Sequence, residues 1–300
     1  MKRISKLLLA VSLAAFAAPA PALNIFTCQA EWAALAREIA GDKASINSAT
    51  TAMQDSHRIE ARPSLIARVR NADLLVCTGI ELESGWLPLL LRQAGNAKVQ
   101  PGNPGYLEAA QYVARIEVPK LLDRAQGDIH PGGNPHIHTD PRNIAKVGEV
   151  LVERLAQLDP ANASAYRARA KSFLERWQAA IGRWERQAVA LKGVPIVVDH
   201  ADWGYMRDWL GFREVGYLEP KPGIPPTSAH LADLVSRMQR EPAKVIVYAA
   251  YNNPKAAQFL SERTKIPALM LPFTVGGSDA AKDLFGLFDD TIARLLGSLK

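Results

Sequence analysis

The centre of this 300-residue chain constrains its fold most. From Ala165 to Leu191 there is no proline, and Gly182 is the only glycine. Tyr166, Ala170, Phe173, Trp177, Ile181, Trp184, Ala188 and Leu191 recur every three or four residues, the spacing of one apolar stripe on one helix. At the usual rise per residue that helix is roughly 40 Å long. On both sides of it, strand-like and helix-like patterns alternate. Before it stand LNIFTC, the helical EWAALAREIAG, the β-prone KASINSA, a helix opened by Pro63-Ser64, and ADLLVCTG. After it come VPIVVDH, a helix through Tyr205 to Leu210, EVGYL, a helix from Ala229 to Gln239, AKVIVYAA, a further helix and IPALMLPF. KDLFGLFDDTIARLLGSL reads as a closing amphipathic helix. Such alternation implies parallel sheets covered by helices. The expected fold is α/β: an N-terminal domain over 23–160, a connecting helix over 161–191, and a C-terminal domain over 192–300.

The residues before this pattern read as an export signal. Lys2, Arg3 and Lys6 precede an apolar run from Leu7 to Ala18, and Ala20-Pro21-Ala22 supplies a small-x-small exit. Cleavage is expected after Ala22, which puts the mature chain in the periplasm. The leader holds three basic residues and no acidic ones, so the formal charge of +6 falls to +3 without it. So weak and scattered a charge does not point to nucleic acid. Cys28 and Cys77 both end strand-like runs, and an oxidising compartment lets them form a disulfide if those strands are neighbours. No GxGxxG or Walker loop supports nucleotide binding; Gly276-Gly277 lacks the remaining signature residues.

The chemistry lies with the histidines, all outside strand interiors. His57 follows the second strand, in QDSHRIEARPS; His130, His136 and His138 crowd DIHPGGNPHIHTDP; His200 directly follows IVVD. His230, in PPTSAHLADL, falls at a helix start. Open parallel sheets bind ligands beyond the carboxyl ends of their strands, so His57 and His200 could meet in a cleft between the halves. Neutral imidazole is a good zinc ligand, and a closed zinc site takes four donors. His57, His136 and His200 supply three, and Asp279, in PFTVGGSDAAKD beyond the last strand, supplies a carboxylate.

In these motifs the sequence resembles the solute-binding proteins of bacterial zinc and manganese ABC transporters, the cluster A-I family, along nearly the whole mature chain. Asp55-Ser56-His57 with Pro63-Ser64 matches the family's D-P-H loop and Pro-Ser helix start with one change. Asn134-Pro135-His136-Ile137-His138-Thr139-Asp140-Pro141 matches D-P-H-x-W-x-D-P, with Asn for the first Asp and His138 at the aromatic position. The resemblance implies a metal site in the cleft made of His57, His136, His200 and Asp279. His138 is an alternative to His136, and His130 and His138 belong to a His-bearing loop, 127–138, that either collects metal or is simply solvated. Asp55, Asp199 and Asp202 are candidates to orient the histidines; Trp203 and Tyr205 either line the cleft or pack.

Three imidazoles and one carboxylate suit Zn(II) better than Mn(II), which prefers more oxygen donors. The expected function is periplasmic capture of Zn(II) as transported ligand, by loop rearrangement more than hinge closure, with affinity falling below about pH 6 as imidazoles protonate. The expected partners are an inner-membrane ABC permease and its ATPase, with room for a periplasmic metallochaperone. The chain is expected to be a monomer and not an enzyme. A secreted zinc hydrolase, the rival, needs an open coordination position and a base such as Glu60 or Asp202, and no HExxH-type motif supports it.

Overall fold

The computed structural model describes residues 22–121, 127 and 130–300, so the expected signal segment up to Pro21 lies outside the described residues. The first half comprises β1 (Leu23–Thr27), α1 (Ala30–Ala40), β2 (Ala44–Ser48), α2 (Pro63–Arg70), β3 (Leu74–Cys77), α3 (Leu87–Ala94) and β4 (Tyr106–Glu108). α4 (Pro141–Leu158) then leads into α5 (Ala163–Gln187). The second half holds β5 (Pro195–Val198), α6 (Gly204–Leu210), β6 (Arg213–Tyr217), α7 (Ser228–Arg240), β7 (Val245–Ala249), α8 (Lys255–Thr264), β8 (Ala268–Leu271) and α9 (Leu284–Gly297).

Each half is built on one four-stranded, all-parallel sheet, in the orders β2-β1-β3-β4 and β6-β5-β7-β8. The second half thus repeats the topology of the first. β3 is buried along its whole length, as strands covered on both faces must be. In both sheets the strand order reverses beside the first strand of the half, which opens a crevice at the carboxyl ends. Helix starts follow local chemistry: Pro63 opens α2, and the side chains of Asp140, Thr227 and Asp283 accept backbone N–H groups at the starts of α4, α7 and α9. α3 and α4 come in addition to the helices expected from periodicity.

The long central stripe folds as expected. α5 continues as a 3-10 turn, Ala188–Leu191, and Tyr166, Phe173, Trp177 and Trp184 are fully buried. One apolar cluster runs from β1, β3 and α1 through α4 and α5 to β5, β7 and α9. Trp177 and Trp184 meet edge to face at 5.1 Å between centroids, and Phe285, Phe288 and Trp209 close around them. Both indole N–H groups are satisfied, Trp177 by the carbonyl of Pro141 at 2.8 Å and Trp184 by Asp289 at 2.6 Å.

Cys28 and Cys77 stand at the ends of neighbouring strands and form a disulfide. Beside them the buried Glu83 carboxyl accepts from Gln29 Nε2 at 2.6 Å and from the Thr78 and Gly79 amides at 2.9 and 3.0 Å. Burial outweighs these hydrogen bonds and pushes its pKa up to about 7.

This corner of the fold can be tested through stability. The disulfide closes a loop of sequence separation 49, so replacing both cysteines by alanine lowers stability by about 4 kcal/mol in the chain-entropy account, measured by urea unfolding. The unfolded chain releases the Glu83 proton near 4.5 while the folded chain holds it to about 7, so stability falls as pH rises across that window. The full effect is on the order of 3 kcal/mol, and Glu83→Gln should flatten that part of the stability–pH profile.

Candidate metal centre

Three imidazoles converge at the carboxyl ends of the two sheets. His57 is held in the loop between β2 and α2, His136 in the segment that precedes α4, and His200 just beyond β5. Their ring centroids lie 5.5, 5.7 and 5.8 Å apart, and one ligand atom from each falls within 4.8 Å of the others. His136 and His200 are buried and His57 is half-buried. A tetrahedral zinc with ordinary Zn–N bonds sets its nitrogens roughly 3.3 Å apart, so small side-chain adjustments bring the three to bonding distance.

Carboxylates hold the Nδ1 side of two of the three rings. Asp55 Oδ1 lies 2.7 Å from His57 Nδ1 and also accepts the His57 backbone N–H at 2.9 Å. Glu219 Oε2 lies 2.6 Å from His200 Nδ1 and is itself held by the Gly223 amide at 2.8 Å. With Nδ1 so engaged, each ring keeps Nε2 for a metal, the arrangement that orients and strengthens imidazole ligands. Asp202, fully buried, lies 3.3 Å from His136 Nε2 and accepts from the Tyr251 hydroxyl through both oxygens, at 3.0 and 2.9 Å.

The electrostatics differ from ring to ring. Burial, reinforced by the neighbouring imidazoles, holds His136 well below the usual histidine range, so it is neutral and ready to ligate. Burial also works against the charged form of His200, but Asp202, Glu219 and Asp55 outweigh it and raise its pKa to about 9. A cation ligated by His200 would therefore have to displace a proton. Burial first, then Glu219 and Asp202, lifts Asp199 to about 7. The hydrogen bond and charge of His57 overcome burial at Asp55 and lower its pKa.

The other expected site residues fall differently. His130 Nε2 stands 3.2 Å from His57 Nε2, at the mouth of the site. His138 is buried outside the cluster: its ring meets Phe273 edge-on at 4.8 Å, Nε2 lies 3.2 Å from the Phe273 carbonyl, and Nδ1 lies 3.4 Å from Glu31. It fills the aromatic position of its motif as packing. Asp279 is exposed and outside the three-histidine group. Its loop closes through Gly276 N–H to Ala281 O and is tied to α9 by the Ser278 hydroxyl, which donates to Asp290, with Asp279 left at the surface. Gly276, at φ 92°, and Gly277, whose Cβ would overlap the Pro272 carbonyl, make that closure feasible. Trp203 packs against Phe273, and the Tyr205 hydroxyl donates to Ala114 O. His230 serves as a helix-start residue, its N–H donated to Thr227. Glu219 and Tyr251 escaped the sequence reading, although both stand just beyond strand ends, where that reading already looked for ligands.

The model of the family described as "zinc-uptake complex component A periplasmic" matches residues 25–296. Among curated relatives, zinc-binding lipoprotein AdcA of Streptococcus pneumoniae is 24% identical over 81% of this chain and 48% of its own. Manganese-binding lipoprotein MntA of Halalkalibacterium halodurans is 26% identical over 67% of this chain and 63% of its own. The high-affinity zinc uptake protein ZnuA of Bacillus subtilis is 21% identical over 88% and 82%. The chain spans about half to two thirds of the length of the first curated relatives it matches. A crystal structure of ZnuA superposes with TM-score 0.73 at 18% identity, covering 91% of this chain and 99% of that one. A mutant of the laminin-binding adhesin Lmb from Streptococcus agalactiae gives 0.76 at 20% identity, over 93% and 100%. At such identities the structural likeness speaks to the fold.

The carboxylate contacts yield a prediction about metal affinity. Glu219→Gln and Asp55→Asn keep shape but loosen ring orientation, and each should weaken Zn(II) binding by about 10–100-fold in chelator competition.

Proposed function

We propose, from the premise that this chain belongs to the family of periplasmic zinc-uptake components, that it captures Zn(II) outside the inner membrane and delivers it to an ABC permease with its ATPase. The observation that carries this reading is the convergence of His57, His136 and His200 within 4.8 Å. These are the proposed ligands. His130, whose Nε2 lies 3.2 Å from that of His57 although it is outside the three-histidine group, is the proposed fourth donor and the first group an incoming cation meets. This replaces Asp279, whose exposed position lends no support to the role expected of it.

An all-imidazole set favours zinc over manganese, since nitrogen donors suit zinc and manganese prefers oxygen. Manganese is the second reading, because relatives of both kinds occur: MntA is named for manganese and AdcA for zinc. Four protein donors close a zinc coordination sphere and leave no position for an activated water, so the chemistry is binding and release. Among the described residues no helix is long and apolar enough to cross a membrane.

Elemental analysis of the protein purified from periplasm, without added metal or chelator, tests the proposal. About one zinc per chain is expected, lost in the His57→Ala/His200→Ala variant, as three-coordinate and four-coordinate zinc sites depend on each imidazole. Manganese in its place would select the second reading, and failure of the unmodified protein to take up either ion would refute both.

A further inference from the structure

The segment that carries His136 and the segment that carries His200 come from different halves of the chain, and one carboxamide joins them. Asn134 Oδ1 accepts the backbone N–H of His136 at 2.9 Å. Its Nδ2 donates to the carbonyl of Ala201, the residue after His200, at 2.9 Å, and to Glu117 Oε2 at 2.8 Å. Both N–H bonds of the amide and its oxygen are therefore engaged, on a side chain that is 6% exposed. Glu117 is in turn tied to Arg207 of α6 at 2.8 Å. The backbone supports the same join: Asn134 N–H reaches the Ile116 carbonyl at 3.0 Å, and Gly133, at φ 103°, comes so close to that carbonyl that a Cβ would overlap it.

We propose that Asn134 is a positioning residue that sets the spacing between His136 and His200. This rests on the reading of those two residues as ligands. An aspartate, which the related motif carries here, has the same shape and still accepts from His136, but it donates nothing. It would set a carboxylate against Glu117 and the Ala201 carbonyl, three acceptors with no proton between them. The amide is thus matched to the presence of Glu117, and the two residues act as one unit that reaches the second half through Ala201 and Arg207.

The test compares Asn134→Asp, Asn134→Asp/Glu117→Gln and His136→Ala by Zn(II) affinity in chelator competition and by the visible absorption of bound Co(II), which reports ligand geometry. Asn134→Asp is expected to lose about 10–100-fold in Zn(II) affinity and to shift the Co(II) bands. Glu117→Gln added to it is expected to regain about tenfold, because the glutamine amide donates to the introduced carboxylate while its oxygen still accepts from Arg207. A general loss of structure would show no such rescue. Gly204→Ala supplies a second route that changes no charge or hydrogen-bonding group: its Cβ would stand 2.9 Å from Asn134 Nδ2 and from Glu117 Oε1. It too should weaken Zn(II) binding. Unmodified affinity in Asn134→Asp, absence of rescue, or unmodified affinity in Gly204→Ala if Asn134→Asp does not fold, would overturn the proposal. If His136→Ala binds Zn(II) normally, the ligand reading itself falls, and the role of Asn134 with it.

Discussion

The burial of one aromatic stripe governs the rest of the molecule. Tyr166, Phe173, Trp177 and Trp184 of α5 pack into a cluster to which both halves contribute. Large apolar side chains each contribute roughly 1.5–3 kcal/mol when fully buried, so sliding one half along the helix would expose several of them at once. The indole N–H bonds to Pro141 and Asp289 add direction to that packing. With α5 held on both sides, the carboxyl ends of the two sheets face a common cleft. Loops that are far apart in sequence then deliver His57, His136 and His200 to one place.

Within the cleft, charge balance decides how the imidazoles are used. Asp55 and Glu219 take the Nδ1 positions of His57 and His200 and leave Nε2 directed inward. Asp202 sits beneath His136 and is steadied by the Tyr251 hydroxyl, a buried carboxylate with satisfied oxygens. The same carboxylates keep His200 protonated at neutral pH while burial keeps His136 neutral. The proposed capture therefore exchanges protons for metal at a site whose geometry is largely prepared. A shared core of this kind also opposes wide opening of the two halves, because such motion would have to part side chains of one continuous apolar cluster.

The alternation of strands and helices, the long central helix and the order of the histidines were all legible in the chain. Periodicity reports burial directly, and the shared core follows from a stripe too long to be covered by one half. The position of histidines beyond strand ends was legible for the same reason: a parallel sheet presents its crevice there whatever the side chains. Cys28 and Cys77 were readable as a pair only on the condition that their strands are neighbours, and the order β2-β1-β3-β4 supplies that condition.

The choice among nearby polar residues belonged to the tertiary structure. The motif match set His136 at the ligand position but left His138 open as an alternative; the turn that follows Pro135 sends the first into the cleft and the second against Phe273. Asp279 and Asp202 both follow strands, yet a loop closed by its own backbone hydrogen bonds leaves one at the surface while the short turn after His200 buries the other. Glu219, Tyr251 and Asn134 gain their roles from partners up to 67 residues away in the chain. Side-chain period and turn chemistry are local properties that sequence alone determines. Which donor meets which acceptor depends on the packing of whole halves against α5, and only the folded chain decides it.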